Sequence, residues 1–248
     1  MIKRKMQLIA GFAMFVLCIS ILTTTANATA SWEDNFDDLD DWTTFAYTSS
    51  PIPVKIEGNF SAADHTLKVL DDDANFARHD STVNVGTWSF DMFVPDIGNV
   101  AAAMYVYIMS NGSRAIPAYP SDFIAVGAWK QSSGSSLQFI VWTMKGFAWT
   151  IHSQFSKNPM QGWHHIDVNR TSDGHFYVYF NGTLEDDFTH NDVTSSTYLE
   201  FYCYRATGAA IDNLVVEETS SILDGPTILV AVVVVVVIVL AIVFLRRR

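Results

Sequence analysis

The chain has 248 residues, of which 49% are hydrophobic and 13% aromatic, and its formal net charge is −11. Six of its 15 basic residues lie at the two ends, so the stretch from Ser31 to Gly225 holds nine basic residues against all 26 acidic ones, a formal charge of −17. A body this acidic argues against nucleic acid or an anionic membrane surface as its partner.

The amino end has the layout of a secretory signal peptide. Lys3, Arg4 and Lys5 precede an apolar run from about Leu8 to Leu22, and small residues follow up to Ala30. This order of a basic, an apolar and a small-residue segment is typical of a cleaved leader. We predict that residues 1–30 are a signal peptide, with an uncleaved amino-terminal anchor as the alternative.

The body, residues 31–218, contains segments whose side chains alternate between apolar and polar or aromatic. The segments are TWSFDMFV (87–94), MYVYIM (104–109), LQFIVW (137–142) and YLEFYCY (198–204). A period of two is the signature of a β-strand with one buried face. Roughly a dozen such short strands, separated by turn clusters, predict an all-β antiparallel jelly-roll sandwich.

Asparagine and cysteine residues of the body bear on its compartment. Four sequons, at Asn59, Asn111, Asn169 and Asn181, permit N-glycosylation if the host has that machinery. Cys18 lies in the predicted leader, which leaves Cys203 alone after cleavage. Because one cysteine cannot form an intramolecular disulfide, the apolar core must hold the fold without covalent help.

The stretch WHHIDVNRTSDGHFYVYFNGT (163–183) holds two adjacent histidines, and its alternation predicts a β-hairpin. His164 shares a face with Ile166 and Val168, whereas His165 and Asp167 point the other way. Adjacent residues of a regular strand face opposite sides, so the two histidines cannot easily share a metal ion. His165 and Asp167 alone are too few ligands for a metal site. We therefore predict a structural role for this stretch.

The same hairpin resembles the concanavalin A-like, or laminin G-like, jelly rolls of prokaryotic cell-surface proteins. WHHIDVNR followed by GHFYVYFNG is similar to their Trp-His strand and Asn-Gly hairpin. WEDNFDDLDDWTTF and GAAIDNLVVEE are similar to their first and last strands, so the resemblance runs from Trp32 to Glu218. It implies the fold, but this fold carries lectins, adhesion modules and glycanases alike.

Catalytic motifs are missing from the sequence. Glycoside hydrolysis generally needs two carboxylates across the scissile bond, and the resemblance implies a Glu-x-Asp-x-x-Glu string for the glucanase branch, which this sequence lacks. Glu33 with Asp34, or Glu200 alone, lacks a second carboxylate at that spacing. The sequence therefore predicts that the chain is not an enzyme.

Calcium is the one cofactor that the sequence suggests. Asp37 and Asp38 lie in an acidic cluster, and the first and last strands of a sandwich often run side by side, which would bring Asp212 near them. Carboxylate oxygens are ligands that calcium prefers. The alternative is that these aspartates are solvated turn residues.

Tyrosines opposite the predicted core rows are the candidate ligand-binding residues. They would form one aromatic, hydroxyl-bearing surface if their strands share a sheet: Tyr105, Tyr107, Tyr177, Tyr179, Tyr202 and Tyr204. Such a surface suits stacking on sugar rings or contact with a protein. Because tyrosine is also a favoured strand residue, the pattern is compatible with no ligand at all.

The carboxyl end predicts the anchor of the chain. Residues 228–245 carry no charge and are followed by three arginines, 246–248, so we expect a transmembrane helix with a short cytoplasmic tail after a linker at 219–227. Such a tail also resembles a sorting signal that a sortase-like enzyme removes.

Together these features predict a single-pass membrane protein with an extracellular body. Its predicted function is non-catalytic glycan recognition. The alternative is a structural or adhesive cell-envelope protein that binds other proteins, and the third possibility is a degenerate or unrecognised glycanase.

Overall fold

The computed structural model describes residues 31–47, 60–63, 65–112, 114–116, 119–146 and 148–219. The predicted signal peptide, transmembrane helix and basic tail lie outside these residues, as do the sequon at Asn59 and all but the first residue of the predicted linker. The described residues form seventeen strands and no helix. Accordingly, no helix among them is long and apolar enough to cross a membrane.

The strands follow one another along the body with short connections. The first eight are β1 (Ser31–Asp34), β2 (Thr43–Tyr47), β3 (Phe60–Ala63), β4 (Thr66–Val69), β5 (Ala74–Asp80), β6 (Gly86–Val94), β7 (Ala102–Ser110) and β8 (Arg114–Ile116). The others are β9 (Tyr119–Pro120), β10 (Asp122–Lys130), β11 (Gln138–Lys145), β12 (Ala148–Phe155), β13 (Gly162–Arg170), β14 (His175–Phe180), β15 (Thr183–Thr189), β16 (Tyr198–Tyr204) and β17 (Ala210–Glu218).

These strands build two antiparallel sheets. Sheet I has eight strands in the order β15-β14-β13-β6-β17-β4-β3, with β1 also paired to β17. Sheet II has seven strands in the order β12-β11-β10-β7-β16-β5-β2, and β8 and β9 form a separate two-stranded ribbon. This arrangement confirms the predicted all-β antiparallel sandwich.

The core lies between the sheets and follows the predicted alternation. In β6, Trp88, Phe90, Met92 and Val94 are fully buried, and the intervening residues are partly exposed. The predicted inward rows of β7, β11 and β16 contribute to the same core. Full burial of each large apolar side chain contributes roughly 1.5–3 kcal/mol, so this core can hold the fold without a disulfide.

The predicted hairpin of β13 and β14 is confirmed. Gly174 donates its N–H to the oxygen of Thr171 at 3.0 Å and has a φ of 82°, a value that favours glycine. The next turn, Asn181-Gly182, joins β14 to β15 with φ values of 49° and 75°. Two positive φ values in a two-residue loop are the mark of a type I′ hairpin turn.

Sheet II departs from the expectation that only one of its faces is buried. All nine residues of β7 are buried. The rows opposite the core were predicted correctly, but they belong to a second apolar cluster on the other side of the sheet. Period-two alternation identifies which residues share a face, and it does not tell whether the second face is covered.

Candidate functional site

The outer face of sheet I, the side turned away from the core, presents polar and aromatic side chains to solvent. Its central residues are Thr87, Ser89, Asp91 and Phe93 of β6, Trp163, His165, Asp167 and Asn169 of β13, Tyr177 and Tyr179 of β14, and Asp212 of β17. They alternate with core residues, which is why adjacent strands place them side by side. Trp163 is 47% exposed, an unusual value for tryptophan.

His165 is held between two carboxylates at the centre of this face. Its Nδ1 lies 2.7 Å from Oδ1 of Asp91, and its Nε2 lies 3.2 Å from Oδ1 of Asp167. The other oxygen of Asp91 accepts a hydrogen bond from Nδ2 of Asn213 at 2.7 Å. The main-chain N–H of His165 donates to Oδ1 of Asn181 at 2.8 Å. These bonds fix the orientation of the imidazole and of both carboxylates.

The electrostatics of this cluster favour a protonated imidazole. Partial burial lowers the pKa of His165, but hydrogen bonds and charge from Asp91 and Asp167 outweigh that effect and raise the pKa above its ordinary value of 6.5. Asp212 lies directly opposite Asp91 on β17. Like charges opposite each other in a sheet repel, so a charged His165 offsets a repulsion that the sheet imposes.

Aromatic rings flank the polar cluster at both ends of β13. Phe93 and Trp163 lie opposite each other, with ring centres 5.3 Å apart. At the other end, Tyr179 lies across from Asp167, and Tyr177 lies across from Asn169. The face therefore runs from an aromatic pair through a polar centre to a second aromatic pair. Rings with apolar faces beside fixed hydrogen-bonding groups suit ligands that are both apolar and hydroxyl-bearing.

Ser89, His165 and Asp91 have the residue types of a hydrolytic triad, but their geometry does not fit one. Nε2 of His165 is 3.4 Å from Oγ of Ser89 and closer, at 3.2 Å, to Asp167. A triad also needs main-chain N–H groups that stabilise an oxyanion. Ser89 lies in the middle of β6, a strand paired on both sides with β13 and β17, and not in a loop or at a helix N-terminus, where unpaired N–H groups converge.

The two adjacent histidines are separated as the alternation predicts. His164 is buried, and its ring N–H donates to the main-chain oxygen of Met160 at 2.9 Å. Around His165, the two aspartates approach from opposite sides of the ring instead of converging on one point. Within the part of the chain that the structure describes, no group of three or more His, Cys, Asp or Glu residues is arranged to hold a metal ion.

The outer face of sheet II carries a buried aromatic cluster with one carboxylate inside it. Its large rings are Phe45, Phe76, Tyr105, Tyr107, Phe123, Trp142 and Tyr202. Neighbouring rings pack closely, with centres 5.2 Å apart for Tyr105 and Trp142. Tyr107 is fully buried, and Tyr105 and Tyr202 are 3% exposed. This face is closed in the structure.

Glu200 is the carboxylate of that cluster and is fully buried. Its Oε1 accepts a hydrogen bond from Oγ of Ser110 at 2.5 Å, and its Oε2 lies 3.4 Å from Nη2 of Arg78. The Arg78 guanidinium in turn lies over the ring of Tyr198, 4.1 Å from its centre. A buried charge is tolerated when it is paired and hydrogen-bonded, and both conditions hold for Glu200.

The six predicted ligand-binding tyrosines do not share one surface. Four of them lie on sheet II: Tyr105, Tyr107, Tyr202 and Tyr204. Tyr177 and Tyr179 lie on β14 of sheet I, so they face away from the other four. The condition for a single six-tyrosine surface, that the strands share a sheet, is therefore not met. The periodicity of a strand carries no information about which sheet the strand joins.

Of the predicted calcium ligands, the structure groups two and separates the third. Asp37 and Asp38 line an open cleft of about 280 Å³ with Asp34 and Asp41. β1 pairs with β17 as expected, but Asp212 lies opposite Asp91 on the outer face of sheet I and is not part of the cleft lining. Oδ1 of Asp37 is 2.6 Å from Nδ1 of His65. Calcium at Asp37 and Asp38 stays a prediction.

The sequon asparagines within the described residues all have hydrogen-bonded side chains. Asn111 donates to Asp122 at 2.8 Å, and Asn169 accepts from Thr87 at 2.7 Å. Asn181 lies at the exposed hairpin tip and accepts the His165 N–H. Glycosylation stays a prediction at each of them.

Sequence reasoning missed two features of these faces. The alternation of TWSFDMFV (87–94) puts Asp91 on the outward row of its strand, but the contact of Asp91 with His165 spans 74 residues of sequence. The signal in the sequence was that Asp91 is the one charged residue of β6. Glu200 was set aside for want of a second carboxylate at the glucanase spacing, and its ion pair with Arg78, 122 residues away in the sequence, was not predicted.

The comparisons with known proteins find similarity in structure and none in sequence. No family model matches the chain, and no curated protein is similar to it in sequence. A β-glucanase of Bacillus licheniformis has a TM-score of 0.55 and 10% identity, covering 78% of this chain and 100% of that one. The catalytic domain of an endo-1,3-β-glucanase (laminarinase) from Thermotoga petrophila RKU-1 has a TM-score of 0.55 and 12% identity, covering 77% and 97%.

A carbohydrate-binding module is among the similar structures as well. It is the CBM2 module of the evolved Dit protein of Lactobacillus casei BL23 phage J-1, with a TM-score of 0.53 and 10% identity, covering 76% of this chain and 96% of that module. The prediction that the chain is not an enzyme is contradicted, because several of the similar structures are β-glucanases, laminarinases or lichenases. With two antiparallel sheets stacked on one core, the chain has the concanavalin A-like jelly-roll fold that its sequence resembles.

Proposed function

We propose that this protein binds glycans on the outer face of sheet I. The observation that carries the proposal is the exposed ring of Trp163 beside the fixed cluster of Asp91, His165 and Asp167. Sugar rings offer apolar C–H faces and many hydroxyl groups, so they bind where an exposed aromatic ring adjoins oriented hydrogen-bonding groups. The fold, shared with glucanases and a carbohydrate-binding module, supports this reading.

Each group of the cluster has a definite part in such binding. Trp163 and Phe93 supply the stacking surface, since their rings are adjacent and Trp163 is open to solvent. Asp91 and Asp167 are hydrogen-bond acceptors whose orientation is already set by His165. Groups held in place before a ligand arrives lose little entropy on binding it, which raises affinity.

A pair of tryptophan variants tests the location of the site. Trp163→Ala removes the stacking ring of sheet I, whereas Trp149→Ala removes a tryptophan that is 59% exposed on β12 of sheet II. The full-length protein and both variants would be applied to a broad glycan array, and any hit would be quantified by calorimetry. We expect Trp163→Ala to weaken binding about tenfold and Trp149→Ala to leave it unchanged.

The reverse pattern would place the glycan on sheet II, and an array without any hit on folded protein would refute glycan binding. Folding of each variant would be checked by its thermal unfolding midpoint. Both tryptophans are exposed, so neither substitution should change the core.

A second candidate function, glycoside hydrolysis, is favoured by the position of Glu200. This buried carboxylate lies on the aromatic face of sheet II, opposite Arg78 on β5. Asp80 lies opposite Tyr198 in the same ladder, which makes it the diagonal neighbour of Glu200, at roughly 7–8 Å between Cα atoms. Hydrolysis of a glycosidic bond uses two carboxyl groups about 5–10 Å apart, which side chains at these positions can reach. Because Glu200 is fully buried, hydrolysis at this pair also requires that the aromatic face open to the substrate.

Release of reducing ends from polysaccharides tests that candidate. Hydrolysis at this pair requires activity in the full-length protein that is abolished by Glu200→Gln and by Asp80→Asn. Glu218→Gln, at the end of β17 in sheet I, is the matched control and should retain activity. Activity that survives Glu200→Gln would remove Glu200 from the mechanism.

A further inference from the structure

The dimensions of the outer face of sheet I constrain the ligand of the proposed glycan site. Trp163 and Asp167 are four residues apart on β13, which corresponds to about 13 Å along an extended strand. Tyr179 lies directly across from Asp167, on the next strand. The two aromatic positions are therefore too far apart for a single sugar ring to contact both.

Polar groups form a continuous strip along β13 that runs from the Trp163 rung to the Tyr179 rung and one rung past it. His165 and Asp91 come next to Trp163, and Asp167 faces Ser89 one rung further on. One rung past Asp167 and Tyr179, Asn169 accepts a hydrogen bond from Thr87 at 2.7 Å. Each rung thus offers hydrogen-bonding groups in succession along the strand direction.

The charge of the strip selects against anionic glycans. Asp91, Asp167 and Asp212 place three carboxylates on neighbouring strands, and a single imidazole, that of His165, contacts two of them. The strip therefore keeps a net negative charge whether or not the imidazole is protonated. A uronate or sulfate group would be repelled, whereas a hydroxyl group can donate to these oxygens.

Resting on the proposed glycan-binding function, we infer that the outer face of sheet I takes an internal stretch of a linear, uncharged polysaccharide laid along β13 from Trp163 to Tyr179. The aromatic pair at Trp163 and Phe93 stacks on one ring of the chain, and Tyr179 stacks on a later ring. The hydroxyl groups of the rings between them bond to the Asp91–His165–Asp167 cluster.

Chain-length dependence is the direct test. Linear β-1,3- and β-1,4-linked gluco-oligosaccharides, from the monosaccharide upward, would be titrated into the full-length protein by calorimetry. We expect affinity to rise with length until a ligand spans both aromatic positions, and then to level off. Affinity that is independent of length would overturn the inference.

Two variants locate the two ends of the ligand. Trp163→Ala should weaken binding of every oligosaccharide, whereas Tyr179→Ala should weaken only the longer ones, by about tenfold. Tyr179→Phe keeps the ring and should restore most of the affinity, and Tyr204→Ala on sheet II is the matched control. A Tyr179→Ala effect that is the same for short and long ligands would contradict a ligand that spans both positions.

A polyuronate oligosaccharide of matched length tests the charge argument. We expect no binding to the unmodified protein, and binding equal to that of the neutral chain would refute the selection against anions. Binding that depends on Trp163 but not on length would overturn this inference and leave the proposed function standing. If the unmodified protein binds no glycan at all, both this inference and the proposed function are refuted.

Discussion

The two outer faces of the sandwich are built from the same kinds of residue and have opposite exposures. On sheet I, Trp163 is 47% exposed and His165 carries its hydrogen-bonded carboxylates at the surface. On sheet II, Tyr107 and Glu200 are both fully buried. Aromatic and acidic side chains are thus packed into the fold on one face and exposed to solvent on the other.

The ion pairs of the two sheets also differ in how far they are exposed to solvent. The Glu200–Arg78 pair joins a fully buried carboxylate to an arginine whose side chain is 20% exposed. The His165–Asp91 pair lies among side chains that are 44% and 28% exposed. Charges in water are screened and those in a protein interior are not. Substitutions of Tyr107 and Arg78 on sheet II should therefore act mainly on folding, and substitutions of the exposed residues of sheet I should act mainly on binding.

Matched tyrosine substitutions should show the largest contrast. Tyr107→Ala would leave a cavity in the buried cluster of sheet II and should lower the free energy of unfolding by roughly 3–5 kcal/mol. Tyr179→Ala, on the partly exposed outer face of sheet I, should lower it by less than about 1 kcal/mol. Denaturant unfolding of both variants gives the two values. Equal losses would show that the faces do not differ in their contribution to stability.

Breaking the buried ion pair should have the next largest effect. Arg78→Met removes the cation beside the buried carboxylate of Glu200, which should cost about 3 kcal/mol of unfolding free energy. The control is Asp167→Asn on sheet I, where an exposed pair contributes less than about 1 kcal/mol. If Arg78→Met proved neutral in denaturant unfolding, Glu200 would not depend on that charge.

Alternation along the strands was enough to predict which side chains face the core. It was not enough to predict how the strands are grouped into sheets. The rows of β6, β7 and β16 were assigned to the correct faces, because the side-chain period of a strand is a local property. Whether Tyr105 and Tyr179 share a sheet depends on strand order, which is set by contacts far apart in sequence. The clusters around His165 and Glu200 are built by such contacts, so the sequence showed their members only in part.

The seam between the sheets supplies a prediction of intermediate size. His152 of β12 stacks on Phe188 of β15 with ring centres 3.9 Å apart, and its Nε2 is 3.1 Å from Oγ1 of Thr143. Burial, with a smaller contribution from the charge of His190, lowers the pKa of His152 from 6.5 to about 4. The folded state therefore resists protonation that the unfolded chain accepts.

Stability should accordingly fall as the pH drops from 6.5 toward 4 and level off below that window. The loss should be about 2 kcal/mol, since a partly exposed group is screened by solvent. His152→Phe keeps the stacking on Phe188 and should remove this part of the pH dependence. If the unfolding free energies of the two proteins fall by the same amount between pH 6.5 and pH 4, His152 is not responsible for the loss.

The smallest expected effect belongs to His165, and its sign is opposite to that of His152. Because the pKa of His165 is raised in the folded state by Asp91 and Asp167 against the effect of partial burial, its charged form stabilises the fold. That contribution is complete below the unfolded pKa of about 6.5 and is lost as the pH rises through the higher folded pKa. An exposed pair contributes less than about 1 kcal/mol.

His165→Gln should therefore be less stable than the unmodified protein at acidic pH and equal to it at alkaline pH, as measured by denaturant unfolding. If the unfolding free energy of His165→Gln is lower by the same amount at both pH values, His165 stabilises the fold through packing and not through its charge.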